Sequence, residues 1–412
     1  MINNQTFDIV VIGGGAAGLF FSANVTAINP SLKVLILEKS STPLNKVRVS
    51  GGGRCNVTNS CENPKELSSF YPRGSKELLP LFHSFGSSEC KKWFEERGVK
   101  LKAEPDGRVF PESNKSETIV DCLLQHSESP NTSTVYNTSV TSIKRTESKW
   151  SISTSNKQEI FSNKIFIATG SSSHMWEILS SLGHEIIPPV PSLFSFKIDN
   201  DYTDDITGIS IQDAEVKISG LNKSLRGPVL FTHEGISGPA ILKLSALCAR
   251  ELHHLEYHFS LSLNLTSFKN AELLFSELNS IAEDNPLKYI YGDNHFNIPR
   301  RLWNKIISLS GINQIEKWRD LSKKKKRDLT DNLFSLTLRI TGKSTNKDEF
   351  VTCGGINRKE INWKRMESKI LDGIYFGGEV IDVDALTGGF NFQAAWTTAY
   401  TAAKAASGTL EL

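Results

Sequence analysis

Six cysteines in 412 residues are too few for a disulfide framework, and no two of them are spaced as CxxC. The histidines, including adjacent His253 and His254, lack metal-ligand spacing with Cys or acidic partners, so no metal is expected. No stretch approaches the 18 or so consecutive apolar residues that a spanning helix needs. The opening MINNQTFDIVVIGGG has no basic n-region, and its apolar run meets glycine too early for a signal h-region. Neither sign of charge prevails: 47 Lys and Arg stand against 45 Asp and Glu, a net charge of +2. Any polyanion partner would therefore have to be met by a local basic patch. There is no internal repeat. A reduced, cytoplasmic protein that binds neither membrane nor metal is the expectation.

What is present is a globular composition. Hydrophobic residues make up 39% and charged residues 22%, enough for a sizeable core in about two to three domains. Phe7 to Ile12 is an apolar, β-branched run, Ala16 to Ile28 reads as a helix, and Lys33 to Leu37 returns to β character. Across the first turn lies Gly13-Gly14-Gly15-Ala16-Ala17-Gly18, a GxGxxG, and Glu38 follows twenty residues after Gly18. Gly13 permits the tight turn, Gly15 lets backbone approach a pyrophosphate, Gly18 allows close packing of the helix, and the helix N-terminus attracts the anion. Glu38 is placed to accept hydrogen bonds from ribose hydroxyls, which favours FAD or NAD over NADP at this site.

A second glycine cluster follows in Lys46-Val47-Arg48-Val49-Ser50-Gly51-Gly52-Gly53-Arg54-Cys55-Asn56-Val57-Thr58-Asn59. Three consecutive glycines favour neither helix nor strand, so this loop presents bare amides. Here the chain resembles the BaiN/RdsA-type (YhiN-like) NAD(P)/FAD-dependent flavoproteins. The resemblance continues through Asp106 to Pro111, Ala168-Thr169-Gly170, Phe231 to Pro239, Thr352 to Ile356 with Glu360, Met366 to Ser368, Gly378 to Asp382 and Thr387 to Gln393. One departure is Ala385, where glycine is expected.

The resemblance implies an α/β fold: a Rossmann-like FAD-binding domain of the two-dinucleotide-fold type with an inserted β-rich part and a helical part. FAD would lie extended along Gly13, Gly15, Ala16, Ala17 and Gly18, Glu38, Lys39 and Lys46, then Ser50, Gly51, Gly52, Gly53, Arg54, Cys55 and Asn56. Val140 resembles the position whose backbone contacts adenine. Ala168, Thr169 and Gly170 form the small-residue turn after a strand. Gly378, Glu379 and Asp382 follow a later strand, where a carboxylate takes ribityl hydroxyls. Gly388, Gly389, Phe390 and Asn391 open an Ala-rich helix running to about Ala406. Its N-terminal amides would stabilise negative charge on the pyrimidine edge of a reduced flavin.

Pro188-Pro189-Val190-Pro191 punctuates the chain, and the pattern then changes. Residues 193 to 263 alternate as antiparallel strands do, while residues 267 to 338 carry helical patterns at Ala271 to Ala282, Pro299 to Leu309 and Asp328 to Leu338. The expected organisation is a discontinuous FAD-binding domain over 1–190 and 346–412, a β-rich domain over 191–265 and a helical domain over 266–345. Lys323-Lys324-Lys325-Lys326-Arg327, with Arg300, Arg301 and Lys305 upstream, reads either as a solvated face or loop or as a footprint for RNA phosphates. His233 to Pro239 precedes an apolar helix, Ala240 to Arg250, with Pro239 in its first turn and Ser237 placed to cap it.

His233 would orient a substrate carbonyl or merely shape that helix start. Thr352 and Cys353 complete the candidate catalytic residues. Cys55 and Cys61 lack the spacing of flavin disulfide reductases, and thiol chemistry is not expected. With no second GxGxxG, NAD(P)H would visit the flavin transiently. The leading expectation is an oxidoreductase passing hydride from NAD(P)H through FAD to an activated C=C bond. The resemblance suggests small enones or amines, or uridine in ribosomal RNA giving dihydrouridine. A non-catalytic FAD-containing module that binds RNA or protein is the alternative from another class.

Overall fold

The computed structural model describes residues 2–198, 205–344 and 351–408. The chain divides into two compact units, residues 1–191 with 351–412, and residues 192–350. The expected boundary at 345–346 falls outside the described residues.

The first unit is built on a nine-stranded sheet. Its parallel centre runs from Ile374–Phe376 through Glu159–Ile167, Thr6–Ile12 and Val34–Leu37 to Thr132–Val135. Strand Thr6–Ile12 is apolar and buried from Ile9 onward, as a strand covered on both faces must be. Strand Glu159–Ile167 serves two neighbours along one edge. Its first half pairs antiparallel with Trp150–Thr154, and its second half pairs parallel with Ile374–Phe376. The last third of the chain thus supplies a strand to a sheet begun by the first forty residues. Helix Ala16–Ile28 packs against the C-terminal helix Phe390–Ala406. Both are buried along most of their length, which small residues at Gly18, Ala395, Ala399 and Ala402 permit.

The second unit contains a closed six-stranded antiparallel barrel among its described residues, in the order Phe196–Ile198, Gly235–Ser237, Ser224–Thr232, Ser210–Ile218, Phe259–Asn264, Leu336–Lys343. Three helices of its helical segment are Ala271–Asp284, Arg300–Leu309 and Lys323–Phe334. Barrel and helices share one apolar core, in which Val216, Leu261, Trp303, Ile306 and Leu338 belong to the same buried cluster. The division at 265–266 into separate β-rich and helical domains is therefore replaced by one unit. Its final strand, Leu336–Lys343, lies where a helix was expected to run to Leu338. The alternation Leu336, Leu338, Ile340 buried against Thr337 and Arg339 exposed has the period of a strand.

Two further expectations change. Ser237 caps no helix: helix Pro239–Leu247 begins after Gly238, and Ser237 Oγ instead lies 2.6 Å from Ser195 Oγ. The apolar helix also stops at Leu247, and Ala249–His254 forms a second short one.

Candidate dinucleotide site

The first glycine loop is set by close backbone approaches. Gly13 has φ +107°, and a Cβ there would stand 2.5 Å from the Ala168 carbonyl oxygen. A Cβ on Gly18 would overlap the Gly13 carbonyl oxygen. Gly15 differs from both, since a Cβ there would meet nothing within 4 Å and its φ is an ordinary −87°. Open space beside Gly15 is what a diphosphate passing the start of helix Ala16–Ile28 requires. Gly15 caps that helix without a side chain, so the amides around Ala16 and Ala17 have no capping acceptor. Glu38 is buried behind the loop. Its Oε2 accepts Gly14 N–H at 2.7 Å, and its Oε1 accepts from Ser40 N–H at 2.8 Å and from the Ser40 hydroxyl. Each carboxylate oxygen can take two donors, so Oε2 keeps capacity for a ribose hydroxyl. Lys39 is exposed.

The second cluster is the end of helix Asn45–Gly53. Helical dihedrals break at Ser50, and Gly51, Gly52 and Gly53 follow with φ of 57°, 68° and 80°. A Cβ on Gly52 or Gly53 would meet nothing within 4 Å, so the loop borders open space here as it does at Gly15. Ser50 is turned inward, its hydroxyl donating to Val47 O at 2.8 Å. Arg54 is engaged within the protein, lying 4.0 Å over the Phe110 ring and donating to Glu104 Oε1 at 2.7 Å. Cys55 is buried, with φ +60° and its N–H donated to Ser50 O at 3.0 Å. Burial pushes its thiol pKa up to about 12, which removes it from thiolate chemistry.

Asn56, with its amide turned as its neighbours require, accepts Gly389 N–H at 2.9 Å and donates to Thr58 O and Val109 O. Asn59 Nδ2 donates to Gly388 O at 3.0 Å, and the Tyr71 hydroxyl donates to Phe390 O at 2.6 Å. The second glycine cluster thereby holds the start of helix Phe390–Ala406, where Gly388 and Gly389 have φ of +135° and +90°. A Cβ on Gly389 would strike the Thr58 carbonyl. The first amides of this helix have no intrahelical acceptor, leaving a partial positive charge beside the glycine loop. The Asn391 side chain grips Ala385 in both directions, accepting its N–H at 3.0 Å and donating to its carbonyl at 3.3 Å. Ala385 has no positive φ, so alanine meets the backbone requirement where glycine was expected.

Glu379 gathers Lys46, Gly170 and Thr352. Its Oε2 pairs with Lys46 Nζ, its Oε1 accepts Thr352 N–H at 2.9 Å, and a Cβ on Gly170 would lie 3.8 Å from Oε2. Gly378 packs against Ala17, a Cβ there coming within 3.2 Å of that of Ala17. Ala168 N–H donates to Ile12 O at 2.9 Å, and Thr169 Oγ1 is buried without a partner among the described residues. Two expected positions face protein partners. The Val140 carbonyl lies 3.1 Å from His174 Nε2, and buried Asp382 lies 3.4 Å from Arg358 Nε. Cys353 is buried. His233, in the other unit, stands at a hairpin tip between Ser224–Thr232 and Gly235–Ser237 with 84% of its side chain exposed.

Sequence reading missed Thr58, Asn59 and Tyr71 as the residues that hold the C-terminal helix start. It also missed Arg73, whose guanidinium forms a bidentate pair with buried Asp384. Asn59 stands inside the recognised motif, whereas Tyr71 and Arg73 carry no local signal. Among the described residues no helix is long and apolar enough to cross a membrane, and no cluster of His, Cys, Asp and Glu could hold a metal ion.

A glycine cradle at the strand ends of a parallel sheet, faced by a second helix N-terminus, defines a Rossmann-type FAD-binding architecture. The model of the HI0933-like protein Rossmann domain matches residues 7–405, and the chain belongs to that family of flavoprotein oxidoreductases. The resemblance to BaiN/RdsA-type proteins is borne out. The chain is 27% identical to the ribosomal RNA dihydrouridine synthase of Escherichia coli K12, covering 97% of this chain and 98% of that one. It is 24% identical to the 3-dehydro-bile acid delta(4,6)-reductase of Clostridium scindens, with the same coverage. Among solved structures, the 3-ketosteroid delta1-dehydrogenase of Sterolibacterium denitrificans superposes with a TM-score of 0.51 at 11% identity, over 98% of this chain and all of that one. That likeness concerns the fold alone.

Proposed function

We propose that the protein binds FAD and uses NAD(P)H to reduce a C=C bond conjugated to a carbonyl. The observation that carries this reading is the paired cradle. Open space beside Gly15, Gly52 and Gly53 would leave room for the diphosphate of a dinucleotide, and the first amides of helix Phe390–Ala406, which have no intrahelical acceptor, would be available to charge at its reacting end. When bound, FAD would relay the hydride, two electrons with one proton, from NAD(P)H to the substrate carbon β to the carbonyl, a second proton reaching the α carbon from solvent or a protein acid. The helix amides would stabilise negative charge developing at the pyrimidine edge, and they cost no reorganisation because Asn56, Asn59 and Tyr71 fix the backbone around them. Glu379 would orient ribityl hydroxyls, with Lys46 and Thr352 N–H holding its carboxylate.

The named reactions of both relatives are reductions of a double bond conjugated to a carbonyl. Of their two substrates we favour uridine in ribosomal RNA. Residues 266–344 carry fourteen Lys and Arg against nine Asp and Glu, a local excess that suits a polyanion. Mixing purified yellow protein with NADH or NADPH under anaerobic conditions, then with ribosomal RNA or a small enone, tests the reading. Bleaching of the flavin band by one nucleotide and its return on adding one acceptor is the expected result. A flavin that neither nucleotide reduces would overturn it in favour of a non-catalytic module.

A further inference from the structure

Of the basic run Lys323–Arg327, three of five cations are engaged within the unit. Lys325 pairs with Glu316, Lys326 Nζ lies 3.1 Å from Asn279 Oδ1, and Arg327 donates to Glu272 at 2.7 Å while lying 4.0 Å over Phe275. The last two form a seam between helices Ala271–Asp284 and Lys323–Phe334, and the first ties the start of helix Lys323–Phe334 to the segment around Glu316. Lys323 and Lys324 are exposed beside that tie and have no side-chain partner among the described residues.

Glu316 belongs to a short antiparallel ribbon. Tyr289 is bridged to Lys317, Trp318 N–H donates to Lys288 O at 3.2 Å, and Ile290 N–H donates to Glu316 O at 3.1 Å. Successive side chains of such a ribbon point to opposite faces. Ile290 and Trp318 point inward and are fully buried, and Trp318 Nε1 donates to Asp293 Oδ2 at 2.8 Å. Leu287 and Tyr289 point outward, 61% and 53% exposed. Arg319, whose N–H donates to Pro286 O at 3.1 Å, stands beside Leu287 with its side chain exposed, and Ile315, in the turn leading into the second strand, is 80% exposed. Large apolar side chains held together in water on a fixed support mark a contact surface. We propose that this ribbon face binds a single-stranded segment of the RNA, a proposal that rests on the ribosomal RNA reading above. Charge complementarity selects that partner. Residues 286–290 and 315–324 carry five Lys and Arg against two acids, and one of the two, Glu316, is taken by Lys325. The other, Asp320, lies 3.4 Å from Arg319 Nε, which leaves the two Nη groups of that guanidinium to a phosphate. Lys317 Nζ lies 5.1 Å from the centre of the Tyr289 ring and steadies it, while more than half of Tyr289 stays open for a base to stack. Leu287 and Ile315 extend the apolar shelf for a neighbouring base or ribose, and Arg319, Lys323 and Lys324 supply the cations that track the backbone.

The test is fluorescence anisotropy of the FAD-loaded full chain with a labelled, uridine-containing single-stranded RNA across a salt series, and with labelled polyglutamate as the probe for an acidic protein partner. Tyr289→Ala should weaken RNA binding at least about fivefold, the low end of one base stack, and leave the log–log salt slope unchanged because no charge is removed. Tyr289→Phe should bind as wild type does. Arg319→Gln with Lys324→Gln should lower the slope by about 1.4, at about 0.7 per lost contact on a single strand. Lys92→Gln with Lys144→Gln, exposed cations of the first unit, should leave it unchanged. If wild type binds RNA while the Tyr289→Ala and Arg319→Gln/Lys324→Gln variants bind as wild type does, the ribbon assignment falls and the RNA reading stands. If wild type does not bind RNA, both fall. Polyglutamate bound as tightly as RNA, and lost as readily on Tyr289→Ala, would overturn the proposal in favour of an acidic protein partner. Should Arg319→Gln disturb folding, Lys323→Gln with Lys324→Gln, both on exposed helix positions, decides by the same change in slope.

Discussion

A side chain on Gly18 would drive its Cβ into the carbonyl oxygen of Gly13, whereas one on Gly15, three residues earlier, would enter open space. The two glycines of one motif therefore do different work. Gly18 is a packing requirement of the protein, and on the FAD reading proposed above Gly15 is a requirement of what the protein binds. Gly15→Val should fold with a melting temperature near that of wild type yet purify colourless. Gly18→Val should lose the fold itself. Circular dichroism and flavin absorbance on both variants check this, and a Gly15→Val protein with full flavin content would refute the assignment of the loop.

Arg327 has two partners on helix Ala271–Asp284, the Glu272 carboxylate and the Phe275 ring. Both sites are partly exposed, so Arg327→Ala should cost about 1 kcal/mol, most of it from the ring contact and buried stem. Urea denaturation monitored by tryptophan fluorescence would register the change. Lys323→Ala, on an exposed position of the same helix, should change stability by less than about 0.5 kcal/mol.

Asp384 is fully buried and Arg73 nearly so, and their pair closes the segment before the C-terminal helix. Removing Asp384 takes away the bidentate partner of Arg73 and leaves Asp382 to compensate that charge only in part, so Asp384→Ala should cost about 3 kcal/mol. Arg73→Met combined with Asp384→Leu should recover much of that loss. A double variant no more stable than the single one would show that the pair also performs work that apolar packing cannot replace.

His184 is buried with Nδ1 2.8 Å from Glu360 Oε2 and Nε2 3.1 Å from Ser368 Oγ. Ser368 Oγ already accepts the N–H groups of Ile370 and Leu371, at 3.1 and 2.9 Å. Its remaining role is to donate, so a proton on Nε2 would face no acceptor. Burial pushes the imidazole below its ordinary value of 6.5, and Glu360 pulls only partly the other way. A depressed histidine stabilises the fold fully above the unfolded value, and that stability drains as pH falls from about 6.5 through the lower folded value. Thermal melts should thus show a decline below about pH 6.5 that His184→Gln flattens, at the cost of a lower plateau. An identical pH profile in the two proteins would contradict the account.

The dinucleotide unit was legible because its determinants are local. Period-two and period-3.6 patterns around Gly13 to Gly18 lie within one strand and one helix, and Glu38 sits at a fixed distance from them. The resemblance carried in Asn391 and Gly389, whose φ of +90° only glycine adopts readily. What stayed hidden depends on partners far along the chain. Nothing near Tyr71 announces Phe390, nothing near Arg73 announces Asp384, and the engagement of Lys325 and Arg327 follows from where Glu316 and Glu272 come to lie. Strand Leu336–Lys343 was obscured because three apolar residues at alternate positions also fit the end of a helix.

Strand Ile374–Phe376 lies directly beside Glu159–Ile167 in the sheet. On a ribosome, more than two hundred residues separate the synthesis of these neighbours, and the whole of the barrel and its helices is made in between. Strand Glu159–Ile167 must wait with half of one edge unpaired until the second unit has left the exit tunnel. A nascent chain halted before Ile374 should therefore expose an edge that invites chaperone binding or aggregation. Release of that interaction should coincide with emergence of the last forty residues, so the order of manufacture, rather than the order of strands in space, sets when the cofactor can first be captured.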